Sequence, residues 1–579
     1  CILFLLAGVS VLVYRSSLNV GFLLDDYAHL DYAYRAAHGD WSEIWRVFTG
    51  NWTGATDNLV SYRPFVSLSF CLDYCLWHCN AFGYHLSNLL MFAACSMLSC
   101  MLMFELSAPI AKMPLRLAMA LLSGMLFAVY PLHPEAVAWI VGRVDVQCAL
   151  FYFASLYSWL LFRRSGQNWQ LLLSLLLFGC ALPSKEMAVT LPAVVALSEL
   201  VLPAKEMGWK KFSSKKRLTC AGTFWGVLVA FAVIRTCALG TIVGGYGGGS
   251  LKQFFQSLKN FLDADTWKKV FYGVNEEVGV IEPFAKLASA AFTCLATLAT
   301  LRIFEKTAYW RVFAFLLLWA AVAELPTFQI WHVFPNLCGS RLLFLASAPF
   351  CMALTMVALP LFNLPLPQTM RKAGTGIAQV AGFISIAIVA YLWCHSLSRN
   401  LIPWSNAGSQ MRTLTTQVRQ FAAKTPGGKL TLLLDLPQDL SGSGLLGRPE
   451  FLDKLLKPPL DSIDQSNKLI SGECPLAGSH EFTYPTMIEK LLSSPDVETI
   501  YKWDPTNGQY SLWQIPSGEK QFESKIDKTI DASTGENIYW LEPMKLDPLK
   551  LQAIELSLNQ SQDASTVANK VQLVWRSEK

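Results

Sequence analysis

The sequence predicts a polytopic α-helical membrane protein with about 11 transmembrane helices, followed by a C-terminal soluble α/β or α+β domain. Three observations predict it. Of 579 residues, 53% are hydrophobic and only 15% are charged, against about 25% charged in soluble globular chains. Apolar runs, several of them reaching the ~18 residues that a bilayer-crossing helix needs, recur through the first two thirds of the chain. After residue 397 the hydropathy collapses.

The expected spans lie near residues 1–14, 84–104, 115–131, 142–162, 168–183, 186–203, 219–239, 282–303, 309–325, 341–360 and 376–396. The loops after even-numbered spans are basic: Lys112 and Arg116, Arg163 and Arg164, "KKFSSKKR" at 210–217, Arg302 and Lys306, and Arg371 with Lys372. By the positive-inside rule those loops face the cytoplasm. The odd-numbered loops and the segment 398–579 then face outside. Two units follow: a transmembrane domain over 1–397, whose first outside loop is 15–83, and an extracytoplasmic domain over 398–579. In the latter, "KLTLLLDLP" (429–437), "QYSLWQIP" (509–516) and "VQLVWR" (571–576) have strand character, while "RPEFLDKLL" and "TMIEKLLSS" have helical character.

Charge and cysteine usage narrow the function. The net charge of +5 carries no basic face with interleaved aromatics, so nucleic acid is not an expected partner. Most of the 15 cysteines sit in apolar runs, where Cys acts as a small hydrophobe. Cys71, Cys75 and Cys79 share a helical spacing beside His78, but CxxC pairs are absent, and no metal is expected. "GGYGGGS" within 240–250 lacks the lysine and strand-to-helix setting of a phosphate loop and reads as an outside loop with the character of a lid. Trp41, Trp45 and Phe48 fit one face of an interfacial helix; core packing accounts for them almost as well.

The outside loops concentrate the ionisable residues. The first holds "FLLDDYAHL" (22–30), "SYRPF" and "FGYHLSN"; the second holds "YPLHPEAVAWIVGRVD" (130–145). The third is "LPSKEM" (182–187), and the fifth ends in "LCGSRLLF" (337–344). Ionisable groups at a membrane edge are costly and mark function by default. Outside the cytoplasm there is no nucleotide-sugar pool, so sugar transfer there draws on polyprenyl-phosphate donors held in the bilayer. Such a reaction needs a base for the acceptor hydroxyl and cations for the departing phosphate.

The stretches "DDYAHL", "YRPFVSLSF…FGYHLSNLL", "YPLHPEAVAWIVGRVDVQCALFYFASL", "SKEMAVTLPAV" and "SRLLFLASAPF" occur in that order over the first 350 or so residues. In them the chain resembles GT-C superfamily glycosyltransferases, and within these the transmembrane O-mannosyltransferases with tetratricopeptide repeats and their bacterial relatives. The repeats themselves are absent here. The resemblance implies a GT-C-like fold and an acidic catalytic base in the first outside loop, Asp25 or its neighbour Asp26; helix capping is the structural alternative. It implies donor-phosphate contacts from Arg341 and Lys185, with Arg143 and Arg63 as further candidates. Lys185 could instead pair with Glu186, and Arg143 with Asp145. His85, His133, Glu135, Asp145 and Glu186 are candidate substrate contacts, the two histidines alternatively helix caps.

The reading that follows is an inverting glycosyltransferase moving a mannose-like sugar to a hydroxyl on the extracytoplasmic face. Its expected partners are a polyprenyl-phosphate sugar, an acceptor protein, lipid or glycan, membrane lipids, and partner proteins through 398–579. It needs no cofactor and no obligatory metal. A bacterial or archaeal plasma membrane is the first expectation and the endoplasmic reticulum the second. The rival readings are a non-catalytic scaffold subunit on the same fold and a transporter, against which stands the clustering of ionisable residues at one face rather than at midplane.

Overall fold

A bilayer leaves no water for backbone N–H and C=O groups, so apolar runs satisfy them internally as helices. The computed structural model describes residues 2–52, 60–241, 251–279, 282–302, 305–359, 368–434, 436–447, 449–472, 496–504 and 507–512, with strands at 526–530, 537–541, 551–559 and 570–577. Every expected span falls on a helix: Ile2–Val13, Ala81–Leu106, Met113–Val129, Arg143–Ser165, Asn168–Ala181, Leu191–Val201, Ser214–Leu239, Glu282–Leu301, Thr307–Glu324, Phe344–Ala358 and Gln368–Asn400. Six helical segments among the described residues are long and apolar enough to cross a membrane by themselves, and the remaining apolar helices are shorter. The chain is an integral membrane protein.

Burial sorts these helices. The windows in Ser340–Ala358 and Arg143–Ser165 are 89% and 72% buried, whereas that in Lys215–Leu239 is 11% buried. The last therefore presents its apolar surface outward. Among the inner helices small polar side chains act as interhelical glue. Ser10 Oγ donates to Ser96 Oγ at 3.2 Å, Ser155 Oγ to the Ser174 carbonyl at 2.7 Å, and Trp159 Nε1 to Ser198 Oγ at 3.0 Å. Near the basic loops, Arg163 pairs with Glu199 and Arg164 with Glu105, closing the helix ends around Arg143–Ser165.

The segment between the first two apolar helices contains three helices of its own. Asp26–Ala37, Trp41–Thr49 and Pro64–Trp77 pack in sequence. Trp41 and Trp45 are each 71% exposed, so core packing does not explain them, and the face they share suits the bilayer interface.

By its internal contacts the chain forms two units, Cys1–Met411 with Asp439–Leu445, and Arg412–Gln438 with Leu446–Lys579. The division falls within the helix Ile402–Lys424. In the second unit a four-stranded sheet runs in the order Leu469–Gly472, Leu430–Leu434, Val497–Asp504, Gln509–Leu512. Its first three strands are parallel and the last antiparallel. The Phe421 ring stacks on Tyr501 at 3.7 Å, seating the helix on this sheet. A second, antiparallel sheet runs Lys570–Ser577, Leu551–Asn559, Asn537–Leu541, Ile526–Ile530. "RPEFLDKLL" yields the helix Pro449–Leu455. The expected helix in "TMIEKLLSS" and the lid reading of 242–250 lie outside the described residues.

Candidate active site

The two adjacent aspartates do different work. Asp26 is completely buried; its Oδ2 accepts from the Leu23 amide at 2.8 Å and its Oδ1 from the Val141 amide at 2.9 Å. It thereby ties the turn before Asp26–Ala37 to the loop that precedes Arg143–Ser165. Burial pushes its carboxyl up, against the pull of those two amides. Asp25 occupies the N-cap position, yet its side chain makes no capping hydrogen bond. It is half-buried. The capping alternative therefore fails at Asp25, and the structural task belongs to Asp26.

The turn that aims Asp25 is held from three sides. Leu24 sits at φ +48°, in the left-handed region that non-glycine residues seldom adopt. Its amide donates to the Leu445 carbonyl at 2.9 Å, and its side chain covers Gly444, where a Cβ would come within 2.0 Å of Leu24 Cδ1. Trp139 Nε1 donates to the Leu23 carbonyl at 3.4 Å. Asn88, in "FGYHLSN", donates to the Trp139 and Ile140 carbonyls at 3.2 and 3.1 Å. Such a strained, over-determined turn is common where a side chain must be placed. Asp26→Asn would set an amide NH₂ against one of the two backbone donors. The expected cost is about 1–3 kcal/mol, read as a lowered unfolding midpoint.

Each predicted cation holds a carboxylate. Arg341 Nε lies 3.4 Å from Glu135 Oε1, and the Arg341 amide donates to Glu135 Oε2 at 3.1 Å. Its guanidinium covers the Trp139 ring at 4.8 Å. Lys185 pairs with Asp145, both side chains 1% exposed. Arg143 Nη2 lies 2.5 Å from Asp73 Oδ2, both almost wholly buried, and covers Phe70 at 4.3 Å. Arg63 grips Glu186 through Nη2 at 2.7 Å and stacks on Trp52 at 4.8 Å. Of the four, Arg341 is the most accessible, with 19% of its side chain exposed.

Two sequence-based pairings are corrected. Lys185 does not meet Glu186, because its backbone is extended at φ −160°, ψ 149°, and successive side chains on extended backbone point to opposite sides. One turns to Asp145 and the other to Arg63. Arg143 does not meet Asp145 because residues two apart on a helix do not face each other. Its partner Asp73 was not singled out from sequence. The signal was there, in a lone acid in the apolar run "SFCLDYCLW", which Ser87 Oγ also engages at 2.6 Å.

The histidines are braces. His85 Nε2 bonds the Gly21 carbonyl at 3.0 Å. His133 Nε2 bonds Ser347 Oγ at 2.8 Å, its ring enclosed by Phe92, Phe127, Tyr130 and Phe344. Neither caps a helix, and burial pushes His133 down to about 3. Electrostatics groups the charged residues in two sets: Asp26 feels Asp25 and Arg143, and Glu135 feels Arg341, Asp145 and Lys185. Gly142 permits the tight entry into Arg143–Ser165, since a Cβ there would lie 2.5 Å from the Glu135 carbonyl oxygen. Among the described residues no group of three or more His, Cys, Asp or Glu side chains has the arrangement of a metal site.

Burial raises the Glu135 carboxyl against the pull of Arg341. At Glu186 burial also raises, but Arg63 outweighs it and the carboxyl sits below its ordinary value. A depressed carboxylate contributes stability that is present above its unfolded pKa and lost as pH falls through the folded one. Unfolding midpoints measured from pH 7 down to 3 should therefore drop less steeply in Arg63→Gln than in the parent. An identical slope would remove Glu186 as a contributor.

No family model matches the chain. It is similar to the protein O-mannosyl-transferase TMTC1 of Mus musculus, 31% identical over 213 residues, covering 34% of this chain and 22% of the relative. It is also similar to TMTC1 of Homo sapiens, 34% identical over 210 residues, covering 34% of this chain and 23% of the relative. The chain thus spans under a quarter of the length of these relatives. Among solved structures it is similar to ArnT from Cupriavidus metallidurans bound to undecaprenyl phosphate, at TM-score 0.42 and 14% identity, over 87% of this chain and 93% of that one. It is likewise similar to the archaeal oligosaccharyltransferase AglB from Archaeoglobus fulgidus, in complex with an inhibitory peptide and a dolichol-phosphate, at TM-score 0.43 and 10% identity, over 89% and 74%.

Proposed function

We propose, with the similarity to protein O-mannosyl-transferases as premise, that this chain is an inverting glycosyltransferase that uses a polyprenyl-phosphate sugar. The site opens at the extracytoplasmic surface of a bacterial or archaeal plasma membrane or of the endoplasmic reticulum. The supporting observation is the division of labour at 25–26. Asp26 is consumed in anchoring the turn, while Asp25 stands in a cap position without capping. A carboxylate held there suits proton abstraction from an acceptor hydroxyl.

In this mechanism the Asp25 carboxylate takes the proton as the acceptor oxygen attacks the anomeric carbon. The bond from that carbon to the phosphate oxygen breaks with inversion, and polyprenyl phosphate leaves with the electron pair. Arg341 is the cation best placed to stabilise it, being the most accessible of the four, at the head of Ser340–Ala358, and able to exchange Glu135 for a phosphate oxygen. Arg143 and Lys185, sealed in buried pairs, hold the floor of the site. The sugar is mannose by the relatives' names, and 398–579 serves acceptor or partner recognition.

The second reading is a non-catalytic scaffold, favoured by the carboxylate that each of the four cations holds. A transfer assay in nanodiscs with a panel of polyprenyl-phosphate sugars, membrane extract as acceptor, and Asp25→Asn alongside the parent separates the two. Transfer by the parent and its loss in the variant support the enzyme. Absence of both transfer and donor binding in the parent supports the scaffold.

A further inference from the structure

Glu324 is the only carboxylate in the helix Thr307–Glu324, at its C-terminal end and more than three turns from its one basic residue, Arg311. Ionisable groups in such helices mark substrate sites more often than packing. Its Oε2 takes only a long 3.4 Å bond from Thr327 Oγ1, and its Oε1 is buried with no hydrogen-bond partner among the described residues. Glu324 interacts electrostatically with Lys185 and Asp145. Asp145, 3% exposed, gives Oδ1 to Lys185 and likewise leaves Oδ2 buried without a partner.

Glu324 thus lies in the electrostatic field of the Lys185–Asp145 pair, as does Glu135. Glu324 and Asp145 each leave one acceptor oxygen unmet, and a buried acceptor left unmade is expensive. Unmet acceptor oxygens disfavour phosphate, whose own oxygens are acceptors, and favour neutral ligands rich in O–H donors. A hexose is such a ligand.

Resting on the transferase reading above, we infer that Glu324 and Asp145 form the wall that accepts hydrogen bonds from the hydroxyls of the donor sugar. Glu324 is then a specificity-determining contact, while the phosphate lies toward Arg341. In this arrangement Lys185 occupies one Asp145 oxygen and leaves the other to accept from the ligand.

The test is direct binding to the full chain in nanodiscs. The probes are bare polyprenyl phosphate and polyprenyl-phosphate mannose, glucose and galactose, offered to the parent, Glu324→Gln and Glu324→Ala. The parent is expected to bind one sugar-bearing lipid about ten- to a hundredfold more tightly than the bare phosphate. Both variants should lose most of that preference and keep the affinity for bare polyprenyl phosphate, which also reports that they fold. A preference retained in both variants overturns the inference, the unmet oxygens then holding water only, and leaves the transferase reading intact. A parent that does not distinguish sugar-bearing from bare lipid overturns it as well. The transferase reading then stands or falls separately on Asp25-dependent transfer. Loss of bare-phosphate affinity in a variant that melts with the parent overturns it too, because the role is then not specific to the sugar.

Discussion

Asp25→Asn is expected to lower sugar transfer by about 10²–10⁴-fold, the usual contribution of a positioned general base, with the unfolding midpoint unchanged. Asn keeps the size of Asp and the cap geometry but cannot accept the proton. Because the Asp25 side chain makes no capping bond, replacing it removes no cap. Donor binding should survive, so the loss should fall on kcat rather than KM. The neighbouring Asp26→Asn supplies the contrast: the same chemical change one residue on should lower stability first, since both Asp26 oxygens accept buried amides. Equal transfer by parent and Asp25→Asn would end the assignment of Asp25 as base.

Lys185→Met is expected to be among the most destabilising single changes in the site. It removes the partner of Asp145 inside the protein, where both side chains are 1% exposed, and leaves that carboxylate beside Glu324 with no compensating cation from Lys185. Breaking a buried pair in this way costs about 3–5 kcal/mol. Replacing both partners by apolar groups is far milder, so Lys185→Met combined with Asp145→Leu should recover much of the lost midpoint. A double-mutant cycle on unfolding midpoints in detergent reads the coupling. Additive losses would show that the pair is not energetically coupled.

Most of the helical frame was legible without coordinates. Apolar runs must be helical in lipid, so "MALLSGMLFAV" and its like announce themselves by composition alone. The interfacial helix was half legible: Trp41, Trp45 and Phe48 have the spacing of one face, but only the exposure of Trp41 and Trp45 separates a bilayer face from a core face. Ion pairs were the least legible. Local proximity suggested Lys185 with Glu186 and Arg143 with Asp145, while the chain joins residues 40 and 70 positions apart, Lys185 with Asp145 and Arg143 with Asp73. Side-chain direction, set by extended or helical backbone, overrode nearness in sequence.

The sequence by itself determined the class, the helices and the gathering of charged residues into the loops between them, because hydrophobicity and charge act locally on each segment. Only the tertiary structure decided which of two identical neighbours accepts from the two buried amides. That choice rests on two amides, Leu23 and Val141, one of them brought from a loop more than a hundred residues away, and no local pattern in "LLDDYAHL" encodes it.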